Sequence, residues 1–470
     1  MHNTQDRTTG KPPNIIFLFS DQQRWDTLGC YGQKLAVTPN LDKMAAEGVK
    51  FEQAFTCQPV CGPARACLQT GKYATELGCF RNGIALPLDE TTIAHHLSQA
   101  GYEVGYIGKW HLASEKRHLN HVGAENAAEG DIDYQTTAIP PERRGGYTDY
   151  WLASDILEFT SHGYNGYMFN QDMQKVDFTG YRVDALTDFA LDFLRSRSGE
   201  KPFFLFLSYI EPHHQNDHHH YEGPEGSKER FKDFDVPGDL AEREGDWSEE
   251  FPDYLGCCAS LDENVGRIRT ELKKLGLDDN TVLLYTSDHG SHFRTRNTEL
   301  EDGNYDDYKR ACHDAAIHIP LIVYGPGFQG GMVINDLVSL IDYAPTILAT
   351  AGISPPDTMR GRPLQELVEG RAQDWPQEIF LQISESQVGR AIRTSKWKYS
   401  IRAPGKNGER HASSDVYCED YVYDLEHDPH ELHNLVRDPA LIEVRKELSE
   451  ILQRKMAEIG ERIPEIKPAS

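Results

Sequence analysis

Long apolar runs are missing from this chain. No stretch reaches the ~18 residues that a bilayer-spanning helix requires, so no membrane partner is expected. The opening residues, MHNTQDRTTGKPPN, lack the apolar core of a secretory signal. The chain as given is therefore expected in the cytoplasm, or in the periplasm or outside the cell if a signal was removed. Basic residues are scarce: 48 Lys and Arg stand against 74 Asp and Glu, a formal net charge of −26. A field of that sign argues against nucleic acid and anionic membranes as partners, while leaving room for a local basic pocket. Cysteine is sparse too. Nine in 470 residues, an odd number, do not make a disulfide scaffold. Cys57, Cys61 and Cys67 lie close together, but no second CxxC-like pair completes a zinc knuckle.

What is present suffices for a packed enzyme-sized body. Hydrophobic residues make up 39% and aromatics 10%, which excludes wholesale disorder. Apolar runs at Asn14–Phe19, Val104–Ile107, Phe203–Tyr209, Thr281–Thr286 and Leu321–Tyr324 read as buried strands. Between them, helical patterns run from Pro39 to Glu47, Thr91 to Ala100, Val183 to Leu194, Tyr254 to Leu275 and Ile341 to Ala351. Buried strands alternating with helices predict an α/β fold with a large, mainly parallel sheet sandwiched by helices. Shorter strands at Ile379–Ile383, Lys398–Ile401 and Val422–Tyr423, with a closing helix after Pro439, predict a smaller C-terminal α+β subdomain. The division is placed at 1–376 and 377–470. Residues 117–180 lack periodicity, and 211–250 are strongly charged and contain HHQNDHHHY; both read as insertions. The His-rich tract is read as a solvated loop, with metal binding as the alternative.

Two of the longest apolar strands end alike, in Asp21-Gln22 and Asp288-His289. Ligands of open parallel sheets bind beyond the carboxyl ends of strands, and oxygen-rich sets suit a hard divalent ion. A single aspartate there often only caps the turn. Residues 61–73, CGPARACLQTGKY, are more specific, with Cys61, Pro63, Arg65, Thr70, Gly71 and Lys72 at fixed spacing.

That segment resembles the sulfatase signature C-x-P-x-R followed by T-G-[KR]. The resemblance continues through GKWHL at 108–112, IEPHH at 210–214, SDHG at 287–290, and Lys309 ahead of CHDAAIHIPLIVYGPG. RAIRTSKWKYS and YVYDLEHDPHELHNL resemble the C-terminal subdomain of the same family. It implies a type I, formylglycine-dependent sulfatase of the alkaline-phosphatase-like superfamily. Cys61 would be oxidised to formylglycine by a formylglycine-generating or anaerobic maturation enzyme, then hydrated to a gem-diol. One divalent ion, Ca2+ first and Mg2+ or Mn2+ otherwise, would be held by Asp21, Asp288 and His289, with Gln22 and the residue at 61 as further ligands. Arg65 would hold the diol, and Lys109, His111, His213 and Lys309 would surround the sulfuryl group. The resemblance implies attack on sulfur as His213, helped by Lys309, protonates the leaving alcohol. His111 would then deprotonate the second hydroxyl, so that the C–O bond breaks, sulfate leaves and the aldehyde re-forms.

The chain departs from the commoner family pattern at Gln22, at His289 and at Ala64, where serine is usual. Asp-Gln with Asp-His also occurs in choline-sulfatase-like and phosphonate-monoester-hydrolase-like members. The leading expectation is a hydrolase of a sulfated carbohydrate with an exo-type pocket. Phosphonate monoesters, phosphodiesters, or choline- or aryl-type sulfates are alternatives, as is a non-catalytic binding protein of the same fold. Tyr147, Tyr150, Trp151 and Tyr164 are read either as platforms for sugar rings or as loop core.

Overall fold

The computed structural model describes residues 11–116, 130–197, 199–296 and 308–469. The first ten residues and 117–129, the start of the segment read as an insertion, lie outside them. Ten strands form one sheet: β1 Asn14–Ser20, β2 Val49–Phe55, β3 Glu103–Lys109, β4 Tyr150–Ser154, β5 Tyr164–Asn170, β6 Lys175–Tyr181, β7 Phe203–Ser208, β8 Thr281–Ser287, β9 Leu321–Tyr324 and β10 Met332–Ser339. Their order is β10-β2-β9-β8-β1-β7-β3-β4-β5-β6. The central run β8-β1-β7-β3-β4 is parallel throughout. Antiparallel pairs appear only towards the two edges, where β9 meets β8 and β2, and β5 meets β4 and β6.

β1 shows why the sheet is double-faced. All seven of its residues are buried, and successive side chains of a strand point to opposite faces. Ile15, Phe17 and Phe19 join a core with Ala64, Leu68, Ile93, Leu97 and Ile347, from helices Cys61–Thr70, Ile93–Gln99 and Tyr343–Thr350. Ile16 and Leu18 join another with Leu41, Val183, Leu186, Leu261 and Val265, from helices Pro39–Glu47, Arg182–Arg195 and Trp247–Lys274. The predicted sandwich of helices around a mainly parallel sheet is therefore present.

Several local expectations need correction. Residues 130–180 are not merely an inserted loop, because they contribute β4, β5 and β6 to the main sheet. Their lack of periodicity follows from Gly, Asn and Asp at exposed edge positions, with only Met168, Phe178 and Tyr181 of β5 and β6 buried. Tyr147 and Trp151 are 1% exposed and pack around Tyr106 and Trp110, so neither is a sugar platform. Tyr150 packs edge-on against Phe193, and Tyr164 remains exposed. The helix expected from Tyr254 begins earlier, at Trp247, inside the charged segment. Glu249 and Glu250 in its first turn suit the positive helix end, while Pro252, the sixth residue, leaves the Ser248 carbonyl without its helical donor.

A second sheet contains β11 Glu378–Ile383, β12 Gly389–Thr394, β13 Trp397–Arg402, β14 Val416–Asp424 and β15 Glu465–Lys467, in that order. Helix Ile442–Glu458 covers it through Leu448, Leu452 and Met456. Among the described residues no helix is long and apolar enough to cross a membrane.

Candidate active site

The parallel register aligns Ser20 of β1 with Ser287 of β8, so the residues that follow, Asp21 and Asp288, emerge side by side. β3 ends at Lys109 and β7 at Ser208, two further neighbours on the same sheet edge. Four strand ends thus converge on one place. Helix Cys61–Thr70 begins there, with Cys61 as its first residue and Gly71 in a left-handed conformation closing it. A helix start presents free N–H groups and a partial positive charge.

The Cys61 sulfur lies 3.1 Å from Lys309 Nζ, 3.2 Å from His289 Nε2 and 3.4 Å from Asp21 Oδ1. Burial pushes its thiol pKa up, but Lys109, Lys309 and His289 outweigh that and hold it well below the ordinary value. Arg65 and Lys109 both donate to Asp21 Oδ2, at 2.9 and 2.7 Å. Burial and Cys61 push the Asp21 carboxyl up, yet Lys109, His213 and Arg65 bring it below the usual range. Arg65 is anchored further by Ser208 Oγ at 2.7 Å and the Lys109 carbonyl at 2.9 Å. Lys309 Nζ also reaches His213 Nε2 at 3.0 Å. Burial, then Lys309, lowers the His213 pKa, which leaves a proton on that imidazole readily given up. Both ring nitrogens of His111 are buried without a hydrogen-bond partner, in the cavity of about 130 Å³ that also holds Cys61, Lys109, His213 and Lys309. The fold thus brings together the residues assigned to catalysis and metal binding: Asp21, Gln22, Cys61, Arg65, Lys109, His111, His213, Asp288, His289 and Lys309.

The donor set has the chemistry of a cation site. Asp21, Cys61, Asp288 and His289 each offer a ligand atom within 4.8 Å of the others, and all are buried. Gln22 Oε1 and Asp288 Oδ2 are buried oxygens that accept no hydrogen bond, a costly state unless something else satisfies them. Burial, and then the neighbouring Asp21 charge, pushes the Asp288 carboxyl up to about 7. Two buried carboxylates so placed require positive charge between them, and the residues therefore fit a divalent ion. Gln22 is fixed in this pose by Tyr221 and Ser291, which accept from its amide nitrogen at 3.1 and 3.4 Å. Gln22 and His111 both have positive φ, 68° and 59°, an uncommon state for non-glycine residues that clusters at functional sites.

Other contributors were not evident from the sequence. Glu158 places a carboxylate oxygen 3.4 Å from His213 Nδ1. Asn82 accepts from the Gly62 amide at 2.9 Å and lines the same cavity. Asp155 accepts from the Ala113 and Ser114 amides and, through its carbonyl, from His111 N, fixing the turn that carries the imidazole. These three lie in segments without periodicity or recognisable motif. Ser208 had a signal, since it ends the apolar strand FFLFLS just as Ser20 and Ser287 end theirs. A second cavity shares Asn82, His111 and Ile156 with the first and adds Arg81, Lys116, Gln135, Glu385 and Glu409. Glu385 follows β11, so the smaller sheet supplies part of the rim.

A mainly parallel sheet lies between helices, with its polar constellation at the strand ends and a smaller sheet beside it, and solved sulfatase structures share this fold. The sequence model of the Sulfatase family matches residues 13–353, and that of the N-sulphoglucosamine sulphohydrolase C-terminal region matches 301–458. The chain belongs to the sulfatase family and is a sulfatase. An ulvan-active sulfatase of Formosa agariphila is 29% identical, over 97% of this chain and 83% of its own length. The N-acetylglucosamine-6-O-sulfatase of Bacteroides thetaiotaomicron is 26% identical over 99% and 90%. A solved structure in complex with its substrate D-glucosamine-2-N,6-O-disulfate has a TM-score of 0.74 and 24% identity, covering 96% of this chain and 98% of the other.

Proposed function

We propose that this sulfatase removes sulfate from a sulfated carbohydrate, one terminal group at a time. The observation that carries the reading is the gathering of three cations at Cys61: Lys309 touches its sulfur, while Lys109 and Arg65 both hold the adjoining Asp21 carboxylate. A sulfate monoester is an anion whose oxygens repel a nucleophile, so such a site must first neutralise charge. The cavity of about 130 Å³ around Cys61 suits one sulfuryl group, and Arg81, Lys116, Gln135, Glu385 and Glu409 of the adjoining cavity offer polar groups to a hydroxyl-bearing leaving group. Relatives named for ulvan and N-acetylglucosamine sulfates support the carbohydrate class.

In this reading Cys61 is oxidised to formylglycine, whose hydrate supplies an oxygen nucleophile at the helix start. Asp21, Gln22, Asp288 and His289 hold a divalent ion, Ca2+ by preference for an oxygen-rich set. When bound it supplies Lewis acidity, polarising a sulfate oxygen and acidifying the hydrate. The remaining work belongs to the chain. Arg65 orients residue 61, Lys109 and Lys309 bind sulfate oxygens, and His213 gives its Nε2 proton to the departing alcohol. His111, which lines the same cavity as Cys61, takes up a proton from the residue at 61 as sulfate departs. Residues 1–376 carry this machinery, and 377–470 close one side of the pocket.

Peptide mass spectrometry of active enzyme tests the centre of the reading. An aldehyde or its hydrate is expected at position 61 and at no other cysteine, and Cys61→Ser is expected to be nearly inactive. Thiol alone at position 61 in fully active protein refutes it. Desulfation of defined sulfated mono- and disaccharides then identifies the sugar.

A further inference from the structure

The His-rich loop after β7 folds back onto the turn between β4 and β5. There it assembles a second group of metal-ligating side chains, apart from the buried carboxylate pair. His162, from the turn, stacks on His218, from the loop, with ring centroids 4.1 Å apart and planes 7° from parallel. His162 Nε2 lies 2.8 Å from Asp217 Oδ2, and His218 Nδ1 contacts Glu222 Oε1. His220 stands beside them, its ring centroid 5.9 Å from that of His218. Ligand atoms of His162, Asp217 and His218 all lie within 4.8 Å of one another, as do those of His218, His220 and Glu222. Three imidazoles and two carboxylates therefore share one patch, with His218 common to both trios.

The patch is built and it is accessible. Asp217 Oδ1 accepts from the Gln215 side-chain amide at 2.7 Å, and Glu222 Oε2 accepts from the Gly163 backbone amide, so each carboxylate has one oxygen held in place. His162, Asp217 and His218 are 46%, 49% and 42% exposed, so an ion can reach them. Hydrogen bonds between imidazole and carboxylate are the arrangement that an ion replaces, since it needs neutral imidazole nitrogens and ionised carboxylates. Imidazole with carboxylate suits borderline ions of the zinc type, whereas the oxygen-rich set at Asp21 and Asp288 suits a hard ion.

The geometry points to a second cation site, formed by His162, Asp217 and His218 with His220 and Glu222 adjoining His218, that takes a Zn2+-like ion and pins the 213–222 loop to the 157–163 turn. The pinned loop carries His213, and its Asn216 donates to Glu158 Oε1 at 2.9 Å. Glu158 in turn faces His213 Nδ1, so the ion would stiffen the wall that positions the imidazole. This site does not depend on the reaction proposed above.

Zinc chloride titrated by calorimetry into the full chain, previously loaded with Ca2+ and dialysed, tests it, with elemental analysis as the count. The expected result is one zinc per chain beside the calcium, bound with unchanged affinity by Asp288→Asn. His162→Gln and His218→Gln, exposed positions where folding is preserved, are expected to weaken zinc at least about tenfold. Co2+ in place of zinc should show imidazole-type visible absorption that both variants lose. Equal zinc affinity in wild type and both variants overturns the site, as does zinc uptake that disappears in Asp288→Asn alone.

Discussion

At the scale of single residues, the pocket separates the tasks of charge and proton transfer between neighbours. Lys309 touches both the sulfur of Cys61 and Nε2 of His213. In the proposed reaction one ammonium would therefore bind the reacting group, while its charge lowers the proton affinity of the adjacent imidazole. Proton delivery matters in proportion to the basicity of the leaving group. His213→Ala is accordingly expected to slow an alkyl or sugar sulfate by about 10²–10⁴ in kcat/KM, and nitrophenyl sulfate far less, because nitrophenolate leaves unprotonated. Equal slowing of both substrates would move the role to Lys309. Cys61, His213 and Lys309 were legible in the chain because they sit in recognisable motifs, Cys61 with Pro63 and Arg65 at fixed spacing behind it. Glu158 was not, since a lone glutamate in an aperiodic stretch carries no pattern, and only the turn Leu157–Phe159 brings it behind His213.

At the scale of elements, legibility followed burial. β1, β7 and β8, buried along their whole length, are continuous apolar runs that can be read directly. β5 and β6, and the edge strand β10, are half-exposed and mix polar with apolar residues, so neither period nor composition marks them. Nor does any pattern mark the backbone requirement at Gly108, next to the site. Gly108 has φ of 105°, and a Cβ there would stand 1.9 Å from the Ser208 carbonyl oxygen on the paired strand β7. Neither backbone can yield without shifting Lys109 or Ser208, the two groups that brace Arg65. Gly108→Ala is expected to cost more than about 1 kcal/mol, read as a lower denaturation midpoint, with activity lost in the protein that does fold. Gly101, at φ of 88° with open space around it, is the control. Gly101→Ala carries the backbone strain without the clash, so it should fall less in stability and keep its activity.

At the scale of the whole molecule, the two sheets are joined by charge as well as by apolar contact. Phe55, Ile317 and Leu337 of the larger body pack with Ile379, Leu381 and Ala391 of the smaller. Beside them Lys398 of β13, fully buried, pairs with Asp314 at 2.5 Å and with Glu431, while Arg393 of β12 reaches Asp314 at 3.1 Å. Asp314 precedes β9 and lies five residues after Lys309, so this ion cluster anchors the segment that delivers Lys309 to Cys61. A buried charge network contributes little over an apolar replacement of the same shape, yet removal of one partner strands the others. Lys398→Met is therefore expected to destabilise the chain by about 3–5 kcal/mol, because two carboxylates lose their common cation in a dry environment. Adding Glu431→Gln to Lys398→Met should recover most of that loss, since Asp314 keeps Arg393 as its partner and position 431 no longer carries an uncompensated charge. Denaturant unfolding followed by fluorescence measures both steps. If the double variant is as unstable as the single one, packing rather than charge holds the sheets together at this seam.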